Sequence, residues 1–139
     1  MEAILKFKRS VLKRGLLAFA LAFALSVPFA SQAYAGTLFS YNGTGIGDKA
    51  SVNQAYVNAS TCYVNHSQTK NSPDANYSMT VSVQRQGDFW SWSTVGSKTF
   101  YNNVYNSVFS TYCNSGTYRL YFQSGTNGLK FDIYGTFYN

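Results

Sequence analysis

Few residues of this chain could carry acid–base or nucleophilic chemistry. Beyond residue 35 the sequence holds one histidine, His66, and four carboxylate side chains, all of them aspartates. Hydrolases of the common kinds need a general base beside a nucleophile, or a pair of carboxylates. Serines are plentiful, but no Gly-x-Ser-x-Gly turn marks one as a nucleophile. The sequence therefore predicts a protein that is not an enzyme and has no catalytic residue, with His66 on the surface or at a rim of the fold.

The same scarcity argues against a metal ion or a cofactor. Zinc takes three or four nitrogen, sulfur or oxygen ligands, and the chain offers one histidine and two cysteines. Calcium needs clustered oxygens, but Asp48, Asp74 and Asp88 stand apart and form no Asp-x-Asp run. The glycines at 43, 45 and 47 lack the spacing of a dinucleotide-binding loop and indicate a turn. We expect neither a metal site nor a cofactor.

Aromatic side chains, by contrast, are abundant. The chain after residue 35 contains eleven tyrosines and both tryptophans. A ring with an apolar body and a polar tip suits sugars, cell-wall polymers and protein partners. The candidate ligand-binding residues are Trp90, Trp92, Arg119, Tyr121, Tyr134 and Tyr138. The alternative is that these rings lie in the core or beneath loops.

The two tryptophans stand two residues apart in a segment where we expect a strand over 89–95. That spacing places both indoles on one face of a strand. Burial of two indoles removes a large apolar area from water, so we expect Trp90 and Trp92 in the core. If they point outward instead, they form the best ligand platform in the chain.

The first 35 residues have the three parts of a secretory signal. Five basic residues between Lys6 and Arg14 precede an apolar run over 15–25, and Ala33-Tyr34-Ala35 forms a small-x-small cleavage site. The run is too short for a comfortable membrane span. We predict cleavage between Ala35 and Gly36 and a secreted, extracellular protein; the length of the signal resembles signals of Gram-positive bacteria. An uncleaved amphipathic helix is the alternative.

Removal of this segment lowers the net charge. The whole chain carries +6, but residues 36–139 hold six basic and four acidic residues, which leaves +2. No basic cluster remains that would attract nucleic acid. Electrostatic attraction to an anionic membrane would also be weak. We therefore expect no nucleic-acid partner, and a membrane partner only if the protein is membrane-active.

Cys62 and Cys113 both lie in the part of the chain predicted to be exported. In an oxidising compartment a single pair most simply forms one disulfide. A bond across this separation would contribute about 4 kcal/mol in the chain-entropy model. Two free thiols are the alternative, because Gram-positive bacteria use disulfides sparingly.

The chain from Gly36 to Asn139 is long enough for one domain. Apolar and polar residues alternate in several segments, most clearly over 77–84 and 117–123, which is the period of a half-buried strand. With turn signals between the segments, this pattern predicts an all-β fold, a small antiparallel β-sandwich or jelly-roll-like barrel of about 7–8 strands. We expect residues 36–49, which are Gly-rich, to form a flexible lead-in.

A turn signal over 124–128 separates the segment 117–123 from the last predicted strand, 129–138. A hairpin at this position would place Arg119 and Tyr121 next to Tyr134 and Tyr138. These side chains would then share the sheet face opposite the apolar one, and the sequence predicts a tyrosine-rich surface there.

Two classes of function fit these features. The first is a secreted, non-enzymatic binding or interaction module for cell-wall glycan, another extracellular polymer or a protein. The second is an exported antimicrobial protein, bacteriocin-like or membrane-active, which the small size, mild positive charge and many aromatic residues favour. The chain lacks the basic amphipathic segment that membrane-active peptides carry, so the first class is the prediction and the second its alternative.

Overall fold

The computed structural model describes residues 36–73, 76–125 and 129–139; the predicted signal segment lies outside them. Within these ranges the chain forms nine β-strands, one 3₁₀ turn at Asp88–Trp90 and no α-helix. The strands are β1 (Thr37–Ile46), β2 (Asp48–Ala50), β3 (Ala55–Val57), β4 (Ser60–Lys70), β5 (Ser78–Gln86), β6 (Trp92–Tyr101), β7 (Val104–Cys113), β8 (Gly116–Ser124) and β9 (Phe131–Tyr138).

The strands form two antiparallel sheets. The four-stranded sheet has the order β1-β9-β4-β7, and the five-stranded sheet has the order β2-β8-β5-β6, with β3 also paired to β8. The predicted all-β class is confirmed. The strand number exceeds the prediction because β2 and β3 are three residues each, too short to show alternation in the sequence.

Alternation explains the inner faces of both sheets. In β5 the residues Met79, Val81 and Val83 are fully buried, while their neighbours in the sequence are not. Such residues form one core cluster with buried side chains of the four-stranded sheet. The contact is direct between Tyr41 of β1 and Phe122 of β8, whose ring centroids are 5.0 Å apart. Burial of each large apolar side chain stabilises the fold by roughly 1.5–3 kcal/mol.

The segment expected to be a flexible lead-in is ordered. Residues 37–46 form β1, which pairs with β9, and β2 begins at Asp48. Phe39 is buried with its ring 5.3 Å from that of Phe137. The lead-in prediction was therefore wrong, because backbone pairing and this aromatic contact outweigh the flexibility that glycine brings. Gly45 takes a left-handed φ of 61° where the register of β1 shifts against β9.

The two cysteines are neighbours but do not form a disulfide. Both thiols are buried, and Cys62 lies opposite Thr111 while Cys113 lies opposite Ser60. The pair is thus diagonal across β4 and β7. Diagonal residues of an antiparallel pair are about 7–8 Å apart, whereas the Cα atoms of a disulfide are usually about 4.4–6.8 Å apart. Instead of bonding, the thiols share a hydrogen bond, which together with burial raises the pKa of Cys62.

The strands β6 and β7 lie at the ends of their sheets, and side chains connect them. The Thr111 hydroxyl of β7 donates to the Val95 carbonyl of β6 over 3.1 Å, and the Lys98 ammonium of β6 donates to the Val108 carbonyl of β7 over 3.5 Å. Gly96 makes this approach possible, because a Cβ at that position would collide with the Thr111 side chain.

Candidate functional site

The six predicted ligand-binding residues lie on three separate surfaces. Arg119 and Tyr121 belong to β8 in the five-stranded sheet, whereas Tyr134 and Tyr138 belong to β9 in the four-stranded sheet. The expected hairpin between these two strands does not form, because the chain crosses from one sheet to the other between them. In its own sheet, β9 pairs with β1 and β4.

The two tryptophans are also apart. Trp90 lies in the turn between β5 and β6 and is 84 % exposed, and Phe89 beside it is 99 % exposed. Trp92 begins β6 and is half-buried. The prediction of a shared strand face in the core was wrong, because the spacing rule holds only within a strand and Trp90 precedes it.

The outer side of the four-stranded sheet carries most of the aromatic surface. We call it the tyrosine face and define it by Tyr63, Asn65, Val108, Tyr112, Tyr134, Thr136 and Tyr138. Tyr63 pairs with Tyr138 across β4 and β9, and their rings stack at 5.3 Å between centroids with 17° between planes. Tyr112 is 61 % exposed and Tyr134 is 48 % exposed. The face therefore carries two stacked rings, Tyr63 and Tyr138, and two exposed rings, Tyr112 and Tyr134.

Sequence reasoning named Tyr134 and Tyr138 of this face but missed Tyr63, Asn65 and Tyr112. The alternation in β4 could have identified two of them, because Cys62, Val64 and His66 share one side of that strand. If that side is the core, alternation sends Tyr63 and Asn65 outward.

A groove lies at one end of the tyrosine face, along β1 and β9. Its volume is about 520 Å³, and the side chains of Asn42, Thr44, Thr69, Asp132 and Tyr134 line it. The groove is found where the register between β1 and β9 shifts after Gly43. The backbone N–H of Gly45 donates to an Asp132 carboxylate oxygen over 2.9 Å, which joins β1 to β9 there. Its size falls in the range of roughly 300–1,000 Å³ that ligand sites occupy.

The side-chain oxygen of Asn65 lies between strands β7 and β9 on this face. Asn65 pairs with Val108 on one side and with Thr136 on the other. Its Oδ1 is buried and accepts no hydrogen bond from the described residues. A buried acceptor left unpaired costs about 1–3 kcal/mol.

A second polar surface lies on the outside of the five-stranded sheet. The guanidinium of Arg119 lies 4.2 Å from the centre of the Trp92 ring, and its Nε donates to Gln84 Oε1 over 2.9 Å. On the same strand the Tyr121 hydroxyl donates to the Asp48 carboxylate. This hydrogen bond, followed by burial, raises the pKa of Tyr121. Three predicted residues thus lie on this surface, but the polar groups of Arg119 and Tyr121 are already bound to Gln84 and Asp48.

The histidine expected at the surface is in the core. His66 is fully buried, with its Nδ1 2.9 Å from the Tyr41 hydroxyl and its Nε2 3.0 Å from Gln68 Oε1. Burial disfavours the charged ring and lowers the pKa of His66 to about 4. The rim prediction failed because both ring nitrogens have hydrogen-bond partners, Tyr41 from β1 and Gln68 from the same strand, which offset the cost of burying a polar ring.

Neither a protein-family model nor a curated protein matches this chain. Among the described residues, no helix is both long enough and apolar enough to cross a membrane.

Proposed function

We propose that this protein is a secreted, non-enzymatic binding module for a neutral extracellular polysaccharide such as cell-wall glycan. The tyrosine face and its groove would be the binding surface. In this proposal the two sheets, which share one core, form a small β-sandwich of the jelly-roll kind, and the ligand binds to one outer side.

The observation that carries the proposal is the spacing of rings along β9. Tyr134 borders the groove, and Tyr138, four residues further on, stacks on Tyr63. Four residues of strand span about 13 Å. An extended polymer can therefore contact the open ring of Tyr134 and the stacked pair at the same time, and a single small sugar cannot.

The chemistry between the rings also fits a sugar. Sugar rings present apolar C–H faces, which pack on aromatic rings, and hydroxyls, which bond to amide and hydroxyl groups. Asn65 and Thr136 lie between the aromatic residues, are both half-buried, and supply an amide and a hydroxyl. Asp132 lies at the groove end of the face, so a neutral polymer suits the surface better than an acidic one.

The interior position of His66 supports a non-enzymatic function. Both ring nitrogens are hydrogen-bonded inside the core, where an extracellular polymer has no access. A general base must come within hydrogen-bond distance of the proton that it removes.

The proposal is tested by co-sedimentation of the purified protein with insoluble peptidoglycan and with neutral polysaccharides. We expect retention by at least one polymer and a loss of about tenfold in affinity for Tyr134→Ala and for Tyr138→Ala, since loss of a ring contact of about 1.4 kcal/mol is a factor of ten. Tyr56→Ala is the matched control, because Tyr56 is an exposed tyrosine on β3 of the other sheet. Equal retention of all three variants, or no retention of the wild type, would refute the proposal.

The alternative, an exported antimicrobial or membrane-active protein, would use another surface. It is favoured by the exposed turn between β5 and β6, which carries Phe89 and Trp90. Release of dye from vesicles or killing of bacterial cells would support that alternative, and neither requires the tyrosine face.

A further inference from the structure

The turn between β5 and β6 has a backbone shape that its residues do not favour. Phe89 has φ 54° and ψ 36°, and Trp90 has φ 61°. The N–H of Ser91 donates to the Asp88 carbonyl over 3.1 Å and closes a four-residue turn. Two central residues with positive φ are the mark of a type I′ hairpin turn, for which Asn-Gly is the usual pair. Bulky residues rarely adopt this conformation, so both positions are strained.

This strain is not compensated by burial. Phe89 and Trp90 are 99 % and 84 % exposed, and no residue of the turn is buried. The turn therefore has an unfavourable backbone and two large apolar side chains in water, and neither serves the core. Residues that are poorly suited to their own backbone conformation and solvent exposure are found mainly at functional sites.

The turn is nevertheless well fixed. Besides the Ser91 N–H bond, the Ser91 hydroxyl donates to the Asp88 carbonyl over 2.7 Å, and the Gly87 N–H donates to the Ser91 carbonyl over 2.9 Å. Left-handed backbone at both positions keeps the two rings in solvent at the end of the hairpin. The two rings are thus held in position before any partner binds, so binding would cost little conformational entropy in this loop.

Charges of both signs lie near the turn. Asp88 is within it, and Arg119 lies over Trp92, which pairs with Gln86 at the end of β5. Arg85 does not contribute, because its guanidinium donates to the Ser115 carbonyl over 2.7 Å and its Nε is buried. Exposed Phe89 and Trp90 rings fit the interface of a phospholipid bilayer, where tryptophan is enriched, and Arg119 on the same sheet is a cation that anionic head groups attract.

We propose that Phe89 and Trp90 insert into the interfacial region of a phospholipid bilayer that contains anionic lipid, and that the β5–β6 turn is a peripheral membrane anchor. This site is distinct from the tyrosine face, because the turn belongs to the five-stranded sheet. The anchor does not depend on the polysaccharide proposal. It would hold the protein near a membrane while the opposite sheet remains available.

The chain provides its own fluorescent probe for this proposal, since Trp90 and Trp92 are its two tryptophans. In Trp92→Phe, Trp90 alone emits; in Trp90→Phe, Trp92 alone emits. With vesicles of phosphatidylcholine and phosphatidylglycerol, we expect a blue shift of the Trp90 emission and quenching by lipids brominated on the acyl chains. Trp92, which lies under Arg119, should show a much smaller change.

A second variant separates binding from folding. Phe89→Asn combined with Trp90→Gly gives the turn its preferred residues, so this protein should unfold at higher urea than the wild type. It should also lose at least about tenfold in vesicle co-sedimentation, because the apolar area that enters the interface is gone. Retention of polysaccharide by the same variant should be unchanged, so the two proposals can fail separately.

Three results would overturn the membrane proposal. The first is an unchanged Trp90 emission with vesicles, and the second is equal sedimentation of the Asn-Gly variant and the wild type. The third is a blue shift that grows with protein concentration when no lipid is present, which would assign the turn to self-association. Vesicles of phosphatidylcholine alone should bind more weakly than mixed vesicles, and the difference should shrink at high salt.

Discussion

The Tyr41 hydroxyl lies 2.9 Å from Nδ1 of His66, although strand β9 runs between the strands that carry them. Both residues pair with Gly135 of β9, one from each side. Gly135 has no side chain, so the Tyr41 ring can pass over β9 and reach β4. The Asn65 carbonyl lies 3.1 Å from the same hydroxyl and is a second acceptor that shares its proton with Nδ1. Gly135 is therefore the position on which this buried polar contact depends.

We predict that Gly135→Ala destabilises the protein. A Cβ at this position would collide with the Asn65 carbonyl and with the Tyr41 hydroxyl, and overpacking of this kind costs about 1–3 kcal/mol. Urea denaturation followed by fluorescence measures the loss. Gly47→Ala is the control, because its Cβ would meet the nearest atom, the Leu129 carbonyl oxygen, at an ordinary 3.5 Å. Equal stability of the two variants would contradict the assigned role of Gly135.

We predict that the protein loses stability as the pH falls from about 6.5 towards 4. Burial lowers the pKa of His66 to about 4 from its ordinary value of 6.5, so the unfolded chain takes up a proton in this window and the folded chain does not. Stability is complete above the unfolded pKa and falls by up to about 1.4 kcal/mol per pH unit below it. Urea denaturation at several pH values measures the slope, and His66→Gln should flatten it. A stability that is constant between pH 7 and pH 4.5 would exclude a buried neutral His66.

We predict that neither cysteine reacts quickly with a thiol reagent in the folded protein. Cys62 and Cys113 are buried free thiols, so a reagent in solution cannot reach either sulfur while the protein is folded. The hydrogen bond between the two thiols raises the pKa of Cys62 and lowers that of Cys113, so the prediction depends on burial and not on the pKa. After unfolding in urea without any reductant, both thiols should react. If no thiol is detected in the unfolded protein until a reductant is added, the two residues are joined in a disulfide and the assignment as thiols is wrong.

We predict opposite effects of Asn65→Val on stability and on binding. Removal of the unpaired buried Oδ1 should raise the free energy of unfolding by about 1 kcal/mol, and valine suits a strand next to Val108. Polysaccharide retention should fall, because the ligand loses the amide group of Asn65 on this face. Thr136→Val, on the adjacent strand of the same face, shows whether a merely less polar face has the same effect. A loss of stability in Asn65→Val would mean that this oxygen has a partner in the folded protein.

The sequence was sufficient for the strands whose inner residues are all apolar. Met79, Val81 and Val83 alternate with polar residues, so the apolar side of the strand is the side that packs into the core. Alternation does not say which strands pair, because neighbours in the chain can belong to different sheets. For that reason the alternation pattern predicts β8 and β9 as neighbours, whereas the two strands lie in separate sheets.

The candidate site was predictable only in part for the same reason. Tyr134 and Tyr138 were identified from their own strand, but the partner ring of Tyr63 comes from a strand more than sixty residues earlier. A hairpin turn is predictable from Gln86-Gly87-Asp88, but the strand expected from Phe89 begins only at Trp92. Phe89 and Trp90 are the opposite of the residues that this turn shape favours. The interior position of His66 depends on Gln68 of the same strand and on Tyr41 of β1, and no local pattern indicates the contact with Tyr41.

The side-chain hydrogen bonds between β6 and β7 also affect how readily the protein aggregates. An end strand normally offers unpaired backbone groups to which a strand from another molecule can add, which is how fibrils and other aggregates grow. Here the Val95 and Val108 carbonyls are occupied by Thr111 and Lys98 of the same molecule. A strand from another molecule thereby finds fewer free backbone acceptors along β6 and β7, which disfavours edge-to-edge aggregation on this side.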